Sequence, residues 1–174
     1  MTRLHIEPAT PADVPMILQL IRELAEFEKL LHEVTATEAQ LHEGLFGPKP
    51  SAEVIMGRLA PGGEVACFAL FFHNFSTFLA KPGIYLEDLY VRPQFRGRGF
   101  GEEMLRHLAR LALQRDCGRL EWSVLDWNQR AIAFYKSLGA VPMNEWTMYR
   151  VTGAALQNLG TPNASDPVDG ADRK

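Results

Sequence analysis

The chain has 174 residues, 47% of them hydrophobic and 10% aromatic, which is enough for one buried core and too little for two ordinary domains. A formal charge of −3 gives no global attraction to nucleic acid or to an anionic membrane, so any phosphate binding must come from a local basic cluster. Cys67 and Cys117 have neither pairing nor metal-ligand spacing, which suits a reducing compartment, and none of the five histidines has ligand spacing, so no metal is expected. The opening residues lack the apolar core of a signal peptide, and no apolar run reaches membrane-spanning length, so a soluble, cytoplasmic protein is expected.

Leu4 to Glu7 alternates apolar and polar residues as a short strand does and ends at Pro8. A helix follows, with Thr10 as cap, Pro11 at its first position and Asp13 completing a capping box. Val14, Ile17, Leu18, Ile21, Leu24 and Ala25 recur on its inner face, leaving Arg22, Glu23 and Glu26 to water. A second short helix is predicted from Thr37 to Leu45, closed by Gly44 and Gly47. Residues 52–59 and 64–75 form two strands of a hairpin about Ala60-Pro61-Gly62-Gly63, and Ile84 to Val91 is a further strand. Glu102 to Gln114 is a helix with Met104, Leu105, Leu108, Leu111 and Ala112 on one face. Then come a strand from Leu120 to Leu125, a helix from Asn128 to Leu138 stopped by Gly139, and a final strand from Glu145 to Val151. One domain over residues 1–159 and a disordered tail over 160–174, rich in Pro, Gly, Asp and Ser, are expected.

The segment most informative about chemistry is Val91-Arg92-Pro93-Gln94-Phe95-Arg96-Gly97-Arg98-Gly99-Phe100-Gly101, between a strand and a helix. Alternate glycines let the backbone approach a ligand, their N–H groups and the helix start form an anion nest, and Arg96 and Arg98 add positive charge. A plain glycine turn with solvated arginines is the alternative. A dinucleotide fingerprint fits poorly, because the spacing is G-x-G-x-G rather than G-x-G-x-x-G and the segment lies past mid-chain. A nucleotide P-loop fits worse still, because no Gly-Lys-Ser or Gly-Lys-Thr ending is present, so the nest is expected to hold a pyrophosphate without a Walker-type magnesium site.

Arg96-Gly97-Arg98-Gly99-Phe100-Gly101 resembles the cofactor loop R/Q-x-x-G-x-G/A of the GNAT acetyltransferases. Three longer strings narrow the resemblance to the diamine (spermidine/spermine) and thialysine N-acetyltransferase family. They are Leu24 to Leu30, Tyr85 to Val91, and Val124 to Ala131 with Phe134-Tyr135-Lys136, the last most similar to the thialysine branch. The resemblance covers Leu4 to about Val151. It implies an α/β (α+β) fold whose mixed, mostly antiparallel sheet is flanked by helices and splays open at a cofactor site, with acetyl-CoA in the opening. It further implies that Leu89, Tyr90 and Val91 pair through their backbone with the pantetheine arm. Arg96, Gly97, Arg98, Gly99, Phe100, Gly101 and Glu102 would wrap the pyrophosphate, and Asn128, Gln129, Arg130 and Ala131 would touch the cofactor. Tyr135 matches the family's proton donor to the departing sulfur. Phe27, Glu28, Glu87, Glu121, Trp122 and Ser123 match substrate positions, while Glu145-Trp146 aligns with one only across a gap. A homodimer is implied by the resemblance alone.

Elementary chemistry supports these roles. An alkyl ammonium with a pKa of about 10.4 is neutral only about once in several thousand molecules at pH 7, so supplying the free amine costs roughly 4–5 kcal/mol. A base is therefore expected, and Glu87 on the splayed strand is the candidate, or else a rim carboxylate that attracts the cation. Asp88 points to the opposite face unless a bulge intervenes. A backbone N–H near Tyr90 offers the oxyanion donor, and Tyr135 is either the acid or a packed aromatic. Glu23, Glu26, Glu28, Glu33, Glu38 and Glu43 form an acidic stretch suited to a cation, or a solvated helix face, while Arg92 to Arg119 is arginine-rich and suits phosphates. The function expected is transfer of the acetyl group of acetyl-CoA to a small cationic primary amine by direct attack. The alternatives are acetylation of a protein N-terminus, a protein lysine or an aminoglycoside, and a non-catalytic acyl-CoA-binding sensor.

Overall fold

The computed structural model describes residues 4–161, and the chain divides into two compact units, Met1–Leu125 and Asp126–Lys174. The first holds β1 (His5–Pro8), α1 (Val14–Phe27), α2 (Glu38–Phe46), β2 (Glu53–Arg58), β3 (Val65–Ser76), β4 (Lys81–Val91), α3 (Phe100–Gln114) and β5 (Leu120–Trp122). Its five strands lie in the order β1-β2-β3-β4-β5, antiparallel throughout except for the parallel pair β4–β5. This is the mixed sheet flanked by helices that the resemblance implies. No helix among the described residues is long and apolar enough to cross a membrane.

Strand alternation sends neighbouring residues to opposite faces, and each face acquires a helical cover. Val54, Met56 and Phe68 join Ile17 and Leu20 of α1 and Leu45 of α2 in one apolar cluster. Cys67, the neighbour of Phe68, is fully buried on the other side, within the field of Glu103 at the start of α3. Burial, and that carboxylate second, pushes its thiol up to about 12. Gly57 is required opposite it, because a Cβ there would collide with the Cys67 sulfur and crowd Leu4. Burying apolar area stabilises by roughly 25 cal/mol per Å², so Ile17, Leu20, Met56, Phe68, Met104 and Leu108, all fully buried, dominate cohesion.

The capping box at Thr10 forms on a short 3₁₀ turn, Pro11–Asp13, that leads into α1; the Asp13 carboxylate accepts from the Thr10 N–H at 2.8 Å. Arg58 joins the same corner, pairing with Glu7 at 2.7 Å and with Asp13. Burial raises the Asp13 carboxyl, but the Thr10 hydrogen bonds and Arg58 together hold it below its ordinary value. Leu20 is fully buried on α1, beyond the expected stripe, and Glu23 is not left to water: it pairs with Arg92 at 2.9 Å. Gly44 lies inside α2 rather than closing it, and Gly47 is the cap. The helix expected from Glu102 begins at Phe100, and β5 stops at Trp122 instead of reaching Leu125.

The second unit contains α4 (Gln129–Ser137) and α5 (Gly153–Gly160). The strand expected over Glu145–Val151 is absent. Its residues alternate, but an alternating segment becomes a strand only beside a partner ladder, and among the described residues this unit contains no other strand. Trp146 and Tyr149 are exposed there at 71% and 90%. Sequence periodicity placed no element at α5, and the tail expected beyond it falls, from residue 162, outside the described residues.

Two helices end in the same way. In α4, Gly139 takes φ 87° and the N–H of Ala140 reaches the Tyr135 carbonyl at 3.1 Å. In α1, Lys29 takes φ 63° and the N–H of Leu30 reaches the Ala25 carbonyl at 2.7 Å. Both are Schellman ends, whose left-handed residue is cheap for glycine and strained for a residue with a Cβ. Lys29→Gly is therefore expected to stabilise the protein by about 0.5–1 kcal/mol and raise Tm by about 2–3 °C, read by thermal denaturation. An unchanged or lowered Tm would show that the left-handed lysine carries no strain.

Candidate active site

The site begins with a fault in the sheet. β3 and β4 pair continuously, but Leu70 opposes Asp88 while Phe71 opposes Leu86, so Glu87 has no partner and forms a β-bulge. Beyond that point β4 also loses its other neighbour, because β5 pairs with Ile84, Tyr85 and Leu86 and then stops. β4 continues to Val91 with no strand paired to that edge among the described residues, which is the splay that the resemblance implies.

The bulge sets two neighbouring carboxylates in different surroundings. Glu87 is exposed, whereas Asp88 is half-buried next to Glu87 and within the field of Glu28 at the end of α1. Burial first, and then Glu87 and Glu28, raise the Asp88 carboxyl from its ordinary 3.8 to about 6. Burial also raises Glu28. Strict alternation therefore misplaces Asp88: the extra residue at Glu87 brings Asp88 into one acidic cluster with Glu28 and Glu87.

Immediately after β4 the chain makes a short turn at Pro93–Phe95 and enters the glycine segment. Gly97 and Gly99 take φ 78° and 84°, and the space where their Cβ atoms would stand is open. Gly99 is the cap of α3, so the first N–H groups of that helix point outward beside it. Both acids of the first turn are engaged elsewhere: Glu102 pairs with Arg106 at 2.7 Å, and Glu103 accepts from the Leu4 N–H at 3.2 Å. The positive helix end is thus left to an external anion. Phe95 and Phe100 are buried and anchor the loop from beneath.

The two arginines of the loop behave differently. Arg98 is exposed over the Phe95 ring at 5.3 Å, in position to meet a phosphate. Arg96, expected at the pyrophosphate, instead turns inward: its Nε donates to the Val91 carbonyl at 2.9 Å, and its guanidinium lies 4.7 Å from the Phe27 ring centroid and 5.6 Å from that of Tyr90. That contact also occupies one of the backbone carbonyls assigned to the pantetheine arm.

Of the other expected substrate residues, Glu121 accepts from Asn74 Nδ2 at 2.8 Å and lies 2.9 Å from Arg119 Nε. Trp122 is half-buried on β5 opposite Leu86, and the Ser123 hydroxyl lies 2.7 Å from that of Tyr85. The structure thus gathers Phe27, Glu28, Glu87, Asp88, Tyr90 and Arg96, and sets Glu121 into a separate polar cluster. In the second unit, Asn128 caps α4 by accepting from the Ala131 N–H at 3.2 Å, and Gln129 Nε2 donates to the Asp126 carbonyl at 2.6 Å. Arg130 is exposed, and Tyr135 is half-buried with its ring centroid 5.5 Å from that of Phe134. Glu145 and Trp146 are exposed. Among the described residues, no group of three or more His, Cys, Asp or Glu side chains is arranged to hold a metal ion.

The model of the Acetyltransferase (GNAT) family matches residues 17–140 of this chain, a range that includes the bulged strand and the glycine nest. The chain belongs to the GNAT acetyltransferase family. As a GNAT protein it is an acyltransferase. It is 39% identical to the thialysine N-epsilon-acetyltransferase of Bos taurus, over 91% of this chain and 98% of that protein. It is 35% identical to the L-ornithine N5-acetyltransferase NATA1 of Arabidopsis thaliana, over 91% of this chain and 89% of that protein. Among solved structures, an integron cassette protein from the mobile metagenome of V. cholerae superposes with a TM-score of 0.77 at 27% identity, covering 93% of this chain and 99% of that one.

The raised Asp88 carboxyl has a signed consequence. Its folded value lies above its unfolded value, so the folded state holds the proton more tightly, and stability from this group falls as pH rises from about 4 through about 6. Asp88→Asn is expected to flatten that slope in urea unfolding, and the Asp88 carboxyl should titrate near 6 by carbon NMR. A midpoint near 4 would remove Asp88 from the tuned cluster.

Proposed function

We propose that this GNAT enzyme transfers the acetyl group of acetyl-CoA to the primary amine of a small cationic substrate of the diamine or lysine-like class. The observation that carries this reading is the acidic cluster that Glu28, at the end of α1, makes with Glu87 and Asp88 on the strand that leads into the glycine nest. One end attracts and deprotonates a cation, and the other takes an anion. The substrates in the names of the thialysine and ornithine acetyltransferase relatives are small molecules with a primary amine on an alkyl arm, which supports the same class.

The residues present fit the cofactor. Gly97 and Gly99 leave open space where side chains would block a diphosphate, the carboxylates of Glu102 and Glu103 are engaged away from the first N–H groups of α3, and Arg98 stands exposed beside them. Acetyl-CoA, when bound, supplies an acyl group already activated as a thioester. The protein's part is to prepare the amine and manage protons. Asp88, raised to about 6, stands close enough to neutrality to exchange a proton with an incoming ammonium, directly or through Glu87 and water. Glu87 and Glu28 hold the cation by charge. Tyr135, on α4, is assigned the acid role by resemblance.

A thiol-release assay with acetyl-CoA against thialysine, lysine, ornithine, spermidine, putrescine and peptides tests the reading directly. Release is expected with the free small amines and not with peptides; release with peptides alone would replace the proposal by protein acetylation, and none at all would leave an acyl-CoA-binding sensor. Tyr135→Phe is expected to lower kcat about 100-fold while coenzyme A affinity by calorimetry changes less than twofold. An unchanged kcat would end its role as acid.

A further inference from the structure

Of the two arginines that flank Gly97, Arg98 faces outward and Arg96 does not, and the contacts of Arg96 reach in three directions. It donates to the Val91 carbonyl at the last residue of β4, its guanidinium lies over the Phe27 ring in the last turn of α1, and it reaches the Tyr90 ring between them. The residue after Phe27 is Glu28 of the acidic cluster, and the residue after Arg96 is Gly97 of the nest. Burial, with Glu23 nearby, raises the Tyr90 phenol against the opposing pull of Arg96 and Arg92, so the guanidinium acts within a half-buried pocket and not in bulk water.

We propose that Arg96 is a positioning residue that clamps the end of α1 to the anion-binding loop through Phe27 and Val91, so that the acidic cluster and the glycine nest keep one relative geometry. Guanidinium suits this place in a way that ammonium does not. Its flat face stacks on an aromatic ring while an N–H in its plane meets a carbonyl, two demands that a lysine cannot satisfy together. The clamp also has a reason to be needed. The α1 end is closed by a left-handed lysine, Lys29, and β5 stops pairing with β4 at Leu86, so the end of α1 is joined to the loop by side chains, the Glu23–Arg92 pair one turn back and Arg96 at Phe27 itself. The inference deepens the amine acetyltransferase reading, and its kinetic part rests on that reading.

The clamp and a phosphate-ligand role for Arg96 make opposite predictions for Arg96→Lys, which keeps the charge and loses the planar contacts. In ligand-free protein, the clamp predicts that Arg96→Lys and Phe27→Leu each speed hydrogen exchange at the Lys29 and Leu30 amides about tenfold, with Phe68 in the core unchanged. In kinetics, each variant raises the KM for the amine about tenfold and for acetyl-CoA less than threefold, and the double variant is no worse than either single one. If Arg96 binds phosphate instead, Arg96→Lys leaves exchange at Lys29 and Leu30 as in wild type, while Arg96→Gln raises the acetyl-CoA KM alone; that result overturns the clamp. Phe27 is 39% exposed, so Phe27→Leu still reports should Arg96→Lys fail to fold. Should wild-type protein bind no coenzyme A, the proposed function falls, whereas the exchange measurement on free protein still decides the clamp.

Discussion

The pairing of β4 governs the rest of the molecule. A strand inside a sheet is normally committed on both edges, and every backbone group it offers is spent on a neighbour. β4 keeps its full commitment to β3 but surrenders β5 after Leu86, and at the same point it takes in one extra residue, Glu87. The strand edge left without a ladder among the described residues and the different surroundings of Glu87 and Asp88 both lie at that local change. The helices stabilise it from both sides: α1 through Phe27 and the Glu23–Arg92 pair, and α3 through the buried Phe100.

Charge is separated along a short length of chain. Carboxylates crowd together before Tyr90 and cations and N–H groups after it, although like charges repel and each cluster alone is costly. The acidic side answers by raising Asp88, so that part of the charge is absent near neutral pH. On the other side, the helix acids are drawn away by Arg106 and the Leu4 amide. A site built in this way is most comfortable when a cation and an anion arrive together.

Much of this was legible in the residues. Helical spacing gave α1 and α3 because their faces are long, and Gly97 and Gly99 announced a nest because glycine is the residue that takes a left-handed backbone without cost. The longer strings around Phe27, Glu87 and Tyr135 carried the family. What stayed hidden was relational. The bulge depends on register against β3, which no single strand records, so the burial of Asp88 beside Glu28 was not legible. Arg96 and Arg98 look alike two residues apart, and only the fold turns one toward Phe27. Glu121 reads as a free carboxylate until Asn74 and Arg119 are folded beside it. The segment Glu145–Val151 alternates convincingly, yet alternation without a partner ladder is merely an exposed chain.

The placement of Cys67 has a practical side. A thiol at about 12, walled in by Gly57, Leu4 and the sheet, is almost never a thiolate in the native protein, and thiolate is the form that reacts with alkylating or disulfide reagents. Once the sheet separates, the same sulfur returns to ordinary reactivity. Cys67 is therefore a built-in chemical clock of global opening, one that stays silent while the sheet is intact.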